Sequence, residues 1–351
     1  MMEYLENAWY VAARSEEIST NIFARRILDK PIVLFRKSNG ELAALADRCP
    51  HRFVPLHLGR ILDDTIQCGY HGLQFDCTGK CVVAPFDSKI PSAAKVASYP
   101  VLERFGMVWI WMGLPEKMDG AEIPDLSCMI DPERAQVHGY TKIKCNYELV
   151  MDNLADLSHA YYVHGSFYTP QGLDRTEHSV TEENGAVYSK FHFPDIEVPP
   201  LWNNYADHTL SRVDRWSEMR WNAPSNLLLY AGVTPTGQPR SDGINLYGVH
   251  MLTPETASTT HYYYCHCRGF RIDDPETTEQ VKEWQRVAFQ EEDKPMLEAQ
   301  QAAIGVVDNL LSLKPVLLSS DTGAVRIRRR LQEKIKAETQ TDFNLQKEAI
   351  S

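Results

Sequence analysis

Cys49-Pro50-His51 and, after a gap of sixteen residues, Cys68-Gly69-Tyr70-His71 decide the reading of this chain. Each short loop offers one thiol and one imidazole. A two-iron, two-sulfide cluster uses this donor set when one iron takes two thiolates and the other two imidazoles. Neutral imidazoles lower the negative charge on the cluster and raise its potential. Zinc takes the same donors, but zinc fingers usually pair Cys with Cys and His with His, whereas here each loop mixes them. Strand-like runs flank both loops: Leu42-Ala43-Ala44-Leu45-Ala46 leads into the first and Leu73-Gln74-Phe75 follows the second. Gly69 and Gly72 bracket Tyr70 and His71, as a tight loop with backbone N–H groups aimed at sulfur requires. Pro50 stiffens the first loop.

The two loops therefore read as a Rieske-type [2Fe–2S] centre, a one-electron relay ligated by Cys49, His51, Cys68 and His71. Up to about residue 115 the surrounding pattern is short strands and turns. Ile32-Val33-Leu34-Phe35 and Leu42 to Ala46 flank the hairpin signal Ser38-Asn39-Gly40. Val101-Leu102 and Met107 to Trp111 flank a turn at Arg104-Phe105-Gly106. Gly113-Leu114-Pro115 and Gly120 to Pro124 form a Pro/Gly-containing stretch that reads as a domain boundary. The expected organisation is an all-β first domain over residues 1–120, a second domain over 121–340 and a polar tail over 341–351.

The second half is of mixed α+β character. Asn146 to Val163 reads as one helix ended by Gly165. Strand-like segments dominate from about Val180 to Gly269, including Asn226 to Ala231 and Tyr247 to Leu252. Asp274-Pro275 is an N-cap followed by proline at the first helical position. The helix it opens runs through Trp284 and Phe289, and Pro295 is expected to break or restart it near Asp293. A last helix is expected from about Asp321 to Ala337.

With 351 residues, 43% hydrophobic and 24% charged, the composition is that of a globular protein with room for two domains. A net charge of −11 argues against nonspecific nucleic-acid binding. No apolar run reaches membrane-spanning length. The start, Met1-Met2-Glu3-Tyr4-Leu5-Glu6, is acidic without a signal-peptide pattern, so a cytoplasmic location is expected. Eight cysteines do not suggest a disulfide framework. Cys77 and Cys81 read as small residues of a hairpin. Alternation sends Cys265 and Cys267 to one strand face and His266 to the other, so Cys265-His266-Cys267 reads as core strand. Cys128 and Cys145 show no partner pattern.

The helix after residue 146 carries Asn153, Asp156, His159 and His164, a candidate second metal site. Two histidines on a helix are more often surface or core residues. A five-residue separation also turns about 500° on an ideal helix, leaving the imidazoles roughly 140° apart. Both can reach one ion only if the helix bends or ends between them. Two histidines and a carboxylate on one face of ferrous iron leave positions open for O₂ and substrate. Glu291, Glu292 and Asp293 are the carboxylate candidates, and spacing does not choose among them.

At these residues the chain resembles the Rieske non-haem iron oxygenases, specifically the α-subunit-only monooxygenases that include vanillate and dicamba O-demethylase oxygenase components. The likeness runs from Asn7-Ala8-Trp9-Tyr10-Val11-Ala12 through both cluster loops to Met151-Asp152-Asn153-Leu154-Ala155-Asp156-Leu157-Ser158-His159. It resumes at Leu252-Thr253-Pro254-Glu255-Thr256 and Glu292-Asp293. The resemblance implies a helix-grip second domain, an antiparallel sheet around a long helix, and two small sheets in the first domain. It implies His159, His164 and Asp293 as iron ligands and Asn153 as a polar neighbour of the iron. Asp156 is implied to bridge a cluster histidine, His71, on one subunit to an iron histidine on the next within a head-to-tail homotrimer. His250 and Trp284 match residues that contact a substrate carboxylate in the dicamba-type enzymes. The third such position is Leu229 here, where those enzymes carry Asn. Unlike bc-type Rieske proteins, the loops lack the extra disulfide cysteines and show Arg52, Phe53 and Gly69 instead.

The implied reaction hydroxylates an O-methyl carbon of a small aromatic acid with O₂, and the hemiacetal collapses to phenol and formaldehyde. No G-x-G-x-x-G fingerprint opens a helix, so electrons are expected from a separate reductase with flavin and plant-type [2Fe–2S] centres, or from a ferredoxin. The basic run Arg326 to Arg330 reads as a solvated helix face rather than a docking patch. A methyl-group hydroxylase or ring dioxygenase would instead yield a benzylic alcohol or cis-diol. A pure electron carrier would bind only the cluster's iron, and a zinc-stabilised binding protein would be colourless.

Overall fold

The computed structural model describes residues 4–118, 123–168, 175–206, 210–307 and 309–350, with side chains to residue 340. The chain divides into two compact units. One comprises Glu6–Ile123 with Thr253–Thr256, and the other Met1–Leu5, Pro124–Leu252 and Ala257–Ser351. Residues 119–122 of the expected linker lie outside the described residues.

The first unit is all β, with three small sheets among its described residues rather than two. Trp9–Arg14 pairs with Met107–Trp111, which pairs in turn with Val101–Arg104 across the turn at Phe105 and Gly106. The hairpin at Gly40 joins Lys30–Arg36 to Leu42–Ala46, and Phe23–Ile27 adds the third strand. Four short strands between Arg60 and Val83 form the last sheet. The N-terminal strand pairs with the late hairpin and not with the middle sheet, which accounts for the extra sheet. The apolar core here includes Val33, Phe35, Leu45, Leu56, Ile66 and Phe75, with Cys49 and Cys68 at its edge.

The second unit is built on a seven-stranded sheet among the described residues. Its strand order is Ala135–Ile143, Thr259–Arg268, Ile244–Thr256, Asn226–Pro235, Arg212–Asn222, Ala186–Glu197 and Glu177–Glu183. Ala135–Ile143 pairs antiparallel with Thr259–Arg268, and the strands from Ile244–Thr256 to Glu177–Glu183 pair antiparallel in turn, with Leu227 opposite His250 and Leu229 opposite Gly248. Cross-strand partners share a sheet face, as do residues two apart. Leu229, Gly248 and His250 therefore line one face.

Helix α1 spans Tyr147–Ala155 and is capped by Asn146, whose side-chain oxygen accepts from the Glu148 N–H. The expected single helix to Val163 breaks at Asp156. There the backbone is extended (φ −105°, ψ 95°), and the carboxylate accepts from the Ser158 N–H to start a new turn. Asp competes with helical hydrogen bonds in this way, and that ends α1. A single 3₁₀ turn, Leu157–His159, leads into α2, Ala160–Val163. A short α3 follows at Pro200–Tyr205.

Asp274 caps α4, Pro275–Arg286, through the N–H groups of Glu276 and Thr277. The helix restarts just after Asp293, as expected. A π-helical stretch, Val287–Asp293, carries it into α5, Lys294–Ile304. The change of register places Pro295 in the first turn of α5, where its missing N–H leaves nothing unpaired. Helix α6 spans Thr322–Ile350, so the expected polar tail from residue 341 continues as helix. Its basic run is not simply solvated. Buried Arg328 pairs with Asp152 and Glu148, while Arg326 and Arg330 both bond Glu182.

Candidate functional site

The first cluster of chemistry lies in the all-β unit. Cys49 and Cys68 are each only 2% exposed and touch one another. Backbone N–H groups of His51 and Arg52 point at the Cys49 sulfur, the donors a cluster sulfur uses. Burial nevertheless pushes the Cys49 thiol pKa up in the free protein. The His51 and His71 rings lie 4.5 Å apart, centroid to centroid. His51 is exposed and His71 half-buried, so the imidazole end faces the surface. A Cβ on Gly69 would stand 2.6 Å from the Leu58 carbonyl oxygen, which reserves the position for glycine. Gly72 adopts φ +76°, a left-handed conformation that suits glycine.

Zinc would need all four donors around one point. Among the described residues, the group of three or more His, Cys, Asp or Glu ligand atoms mutually within 4.8 Å is a different one, His159, His164 and Asp293. The four donors of the two loops are spread more widely, as a two-iron cluster requires.

The second cluster is that triad. The break at Asp156 reorients the chain, and α2 ends at His164 (φ −104°, ψ 40°). This supplies the bend that an ideal helix lacks, and the His159 and His164 rings come to 5.3 Å. Both Nε2 atoms face Asp293 Oδ1, at 3.6 Å and 3.4 Å. The other ring nitrogens are held. His159 Nδ1–H donates to the Asp156 carbonyl oxygen at 2.7 Å, and His164 Nδ1–H donates to Glu292 Oε2 at 2.7 Å. With Nδ1 protonated, each Nε2 lone pair is directed inward. Burial opposes charge on His164, but Asp293 and Glu292 outweigh it and raise its pKa.

The three acidic candidates therefore separate. Asp293, 4% exposed, faces the imidazoles. Glu292 orients His164 from behind, and Glu291 pairs with Arg286 on the surface. The π-helical stretch presents Glu292 and Asp293 together. Asn153 Nδ2 donates to Asp293 Oδ1 at 3.2 Å. The Asp156 carboxylate accepts from Ser320 Oγ at 3.1 Å. Asn153, Asp156, His159 and Asp293 line one cavity of about 600 Å³.

His250, Trp284 and Leu229 occupy one neighbourhood. His250 is 2% exposed, its Nδ1 bonded to the Tyr262 hydroxyl at 2.7 Å. Burial holds its pKa down at about 3, although the Asp293 charge acts the other way. Trp284 packs at a tilt beside His266 (4.6 Å between ring centroids) and Phe289 (6.0 Å). Leu229 and Trp284 are half-buried and pack on the same apolar cluster. The sequence reading missed His266, Gln285 and Phe289 as members of this neighbourhood. Strand alternation had put His266 opposite Cys265 and Cys267, and so on the face of Tyr262, but nothing in the sequence showed that His250 meets that face. Cys265 and Cys267 do share the other face, their sulfurs 3.6 Å apart, and Cys128 joins them beside Cys267.

Comparison with known proteins agrees with this geometry. Residues 8–100 match the Rieske [2Fe-2S] domain, and residues 143–337 match the vanillate O-demethylase oxygenase C-terminal domain. The chain is 40% identical to the oxygenase component of dicamba O-demethylase from Stenotrophomonas maltophilia, across 95% of this chain and 98% of the relative. It is 35% identical to the vanillate O-demethylase oxygenase subunit of Pseudomonas sp. (strain HR199 / DSM 7063), across 95% of each. The crystal structure of dicamba monooxygenase with non-haem iron and dicamba superposes with a TM-score of 0.83 at 37% identity, covering 97% of this chain and 99% of the other. The chain belongs to the Rieske-type O-demethylase oxygenase family, and it is an oxidoreductase.

Proposed function

We propose that this chain is the terminal oxygenase of a monooxygenase system that O-demethylates a methoxybenzoate-type aromatic acid. The observation that carries the reading is the presence, in one chain, of a His/His/Asp triad and a separate pair of Cys/His loops. An electron carrier has no use for the first, and a hydrolase none for the second.

In this reading Cys49, Cys68, His51 and His71 hold a [2Fe–2S] cluster, and His159, His164 and Asp293 hold ferrous iron. When bound, these groups supply one-electron storage and O₂ activation. Asp156 and Glu292 fix the imidazole tautomers, and Asn153 steadies the Asp293 carboxylate. Burial of His164 and Asp293 keeps bulk water away. One oxygen atom of O₂ enters a methyl C–H bond and the other leaves as water, using two electrons and two protons. The resulting hemiacetal releases formaldehyde and a phenol.

The electrons come from a separate reductase or ferredoxin, and the surface-facing imidazoles of the first unit suit such an exchange. A homotrimer is part of the proposal. Exposed Met296, Leu313, Val316 and Leu317 line the same cavity as Asp156 and His159. An apolar rim of this kind supports a face that another subunit covers. A reducing, cytoplasmic setting fits eight cysteines that are all free. No helix among the described residues is long and apolar enough to cross a membrane.

The test is a screen of methoxybenzoates with a reductase of the flavin and plant-type [2Fe–2S] class, reading out formaldehyde. Stoichiometric formaldehyde and phenol support the reading. A cis-diol or benzylic alcohol without formaldehyde would replace it.

A further inference from the structure

The neighbourhood of His250 holds polar atoms that no part of the metal chemistry uses. His250 Nε2, His266 Nε2 and Trp284 Nε1 are all buried without a hydrogen-bond partner. His266 is 1% exposed. An orphaned buried donor costs about 1–3 kcal/mol, so three in one aromatic cluster call for an occupant.

Their protonation follows from their neighbours. Gln285 Nε2 lies 2.8 Å from the Val137 carbonyl oxygen, which can only accept, so this atom is the amide nitrogen. The same nitrogen lies 2.8 Å from His266 Nδ1, which must therefore accept. A neutral imidazole that accepts at Nδ1 carries its proton on Nε2. The Tyr262 hydroxyl lies 2.7 Å from His250 Nδ1; a hydroxyl can donate there, and that arrangement leaves His250 Nε2 protonated as well. A Cβ built on Gly248 would stand 3.2 Å from both Nε2 atoms. The two N–H groups thus face one notch, which glycine leaves open. Leu229 lines the same sheet face, and Trp284 and Phe289 pack against His266.

We propose that His266 is a specificity-determining residue: together with His250 it presents paired imidazole N–H donors across Gly248 to the anionic oxygens of an aryl carboxylate or sulfonate. The inference deepens the demethylase reading and rests on it. Two neutral donors suit one planar or tetrahedral anion on an aromatic ring. A neutral ring without acceptor oxygens would leave both unsatisfied.

The experiment is calorimetric titration of the holoenzyme with the 2-, 3- and 4-methoxybenzoates, the matching methoxybenzenesulfonates and the matching methoxytoluenes. Wild type should bind at least one anion more tightly than its methoxytoluene, and the carboxylate and sulfonate arms tell which anion the notch takes. His266→Phe should weaken that anion about 10–100-fold, as loss of a hydrogen bond to a charged group implies, and leave the methoxytoluene little changed. His266→Gln, which keeps an N–H donor, should recover part of the loss. Gly248→Ala fills the notch with both imidazoles intact and should weaken the anion as well, which tests the idea even if His266→Phe fails to fold. An intact Rieske absorption spectrum certifies each variant. Unchanged anion affinity in both His266→Phe and Gly248→Ala overturns the inference and leaves the demethylase reading standing. Release of formaldehyde from methoxytoluenes, with no anion bound by wild type, overturns it too. Failure of wild type to bind or demethylate any of the compounds overturns both.

Discussion

Replacing Glu292 by leucine tests whether the triad is held from behind as the geometry requires. The carboxylate accepts the His164 Nδ1–H at 2.7 Å, and His164 is 6% exposed, so solvent cannot replace the lost partner. Without Glu292 the ring is free to protonate at Nε2 instead, which removes the inward lone pair. Loss of such an outer partner typically lowers metal affinity 10–100-fold, about 1.4–2.7 kcal/mol. Glu292→Gln keeps an acceptor oxygen but loses the charge, so its affinity should fall between the two. The assay is anaerobic competition for Fe(II) against a chelator, with the Rieske absorption as internal control. Its four candidate ligands lie in the other unit, and the spectrum should not change. Iron bound as tightly by Glu292→Leu as by wild type would refute the orienting role. Parallel loss of the Rieske spectrum would show general unfolding instead.

Two further outcomes follow from other residues. Asp156→Asn can still accept the Ser158 N–H and so preserve the turn, but it loses the charge; both metals should remain bound while turnover falls roughly 10–100-fold. Wild-type turnover in that variant, measured as formaldehyde release, would remove Asp156 from the electron path. Burial pushes the Glu148 carboxyl pKa up from 4.5 to about 7, with Arg328 opposing it. The folded state then binds more protons than the unfolded one between those values, so this contribution to stability is full below pH 4.5 and is lost as pH rises through 7. The loss approaches about 3 kcal/mol, and denaturant titrations of Glu148→Gln across this range should show a flatter profile than wild type.

Much of the site was legible because its chemistry is written in short loops. Cys49-Pro50-His51 and Cys68-Gly69-Tyr70-His71 each carry a thiol and an imidazole within three or four residues, and their hairpins follow from local turn residues. The His159/His164 pair was legible as residue types but not as geometry. Its bend depends on Asp156 leaving the helix to cap the next turn, a choice between two local hydrogen-bond patterns that periodicity does not resolve. Asp293 was one of three neighbouring acids until the π-helical register separated them, and spacing on an ordinary helix does not show that register. His266 was legible only as a strand residue, since its meeting with His250 and Gly248 is a cross-strand and long-range event. Arg328 looked like one more charge on a basic helix face, and only the tertiary fold buries it against Asp152 and Glu148.

Metal and sulfide counting on anaerobically reconstituted protein tests the two-centre account most directly. The account predicts about three irons and about two acid-labile sulfides per chain. Asp293→Ala should fall to about two irons, with the sulfide and the red-brown Rieske spectrum retained and demethylation lost. Wild-type protein with two irons per chain and full activity would contradict it, as would an iron content that Asp293→Ala leaves unchanged.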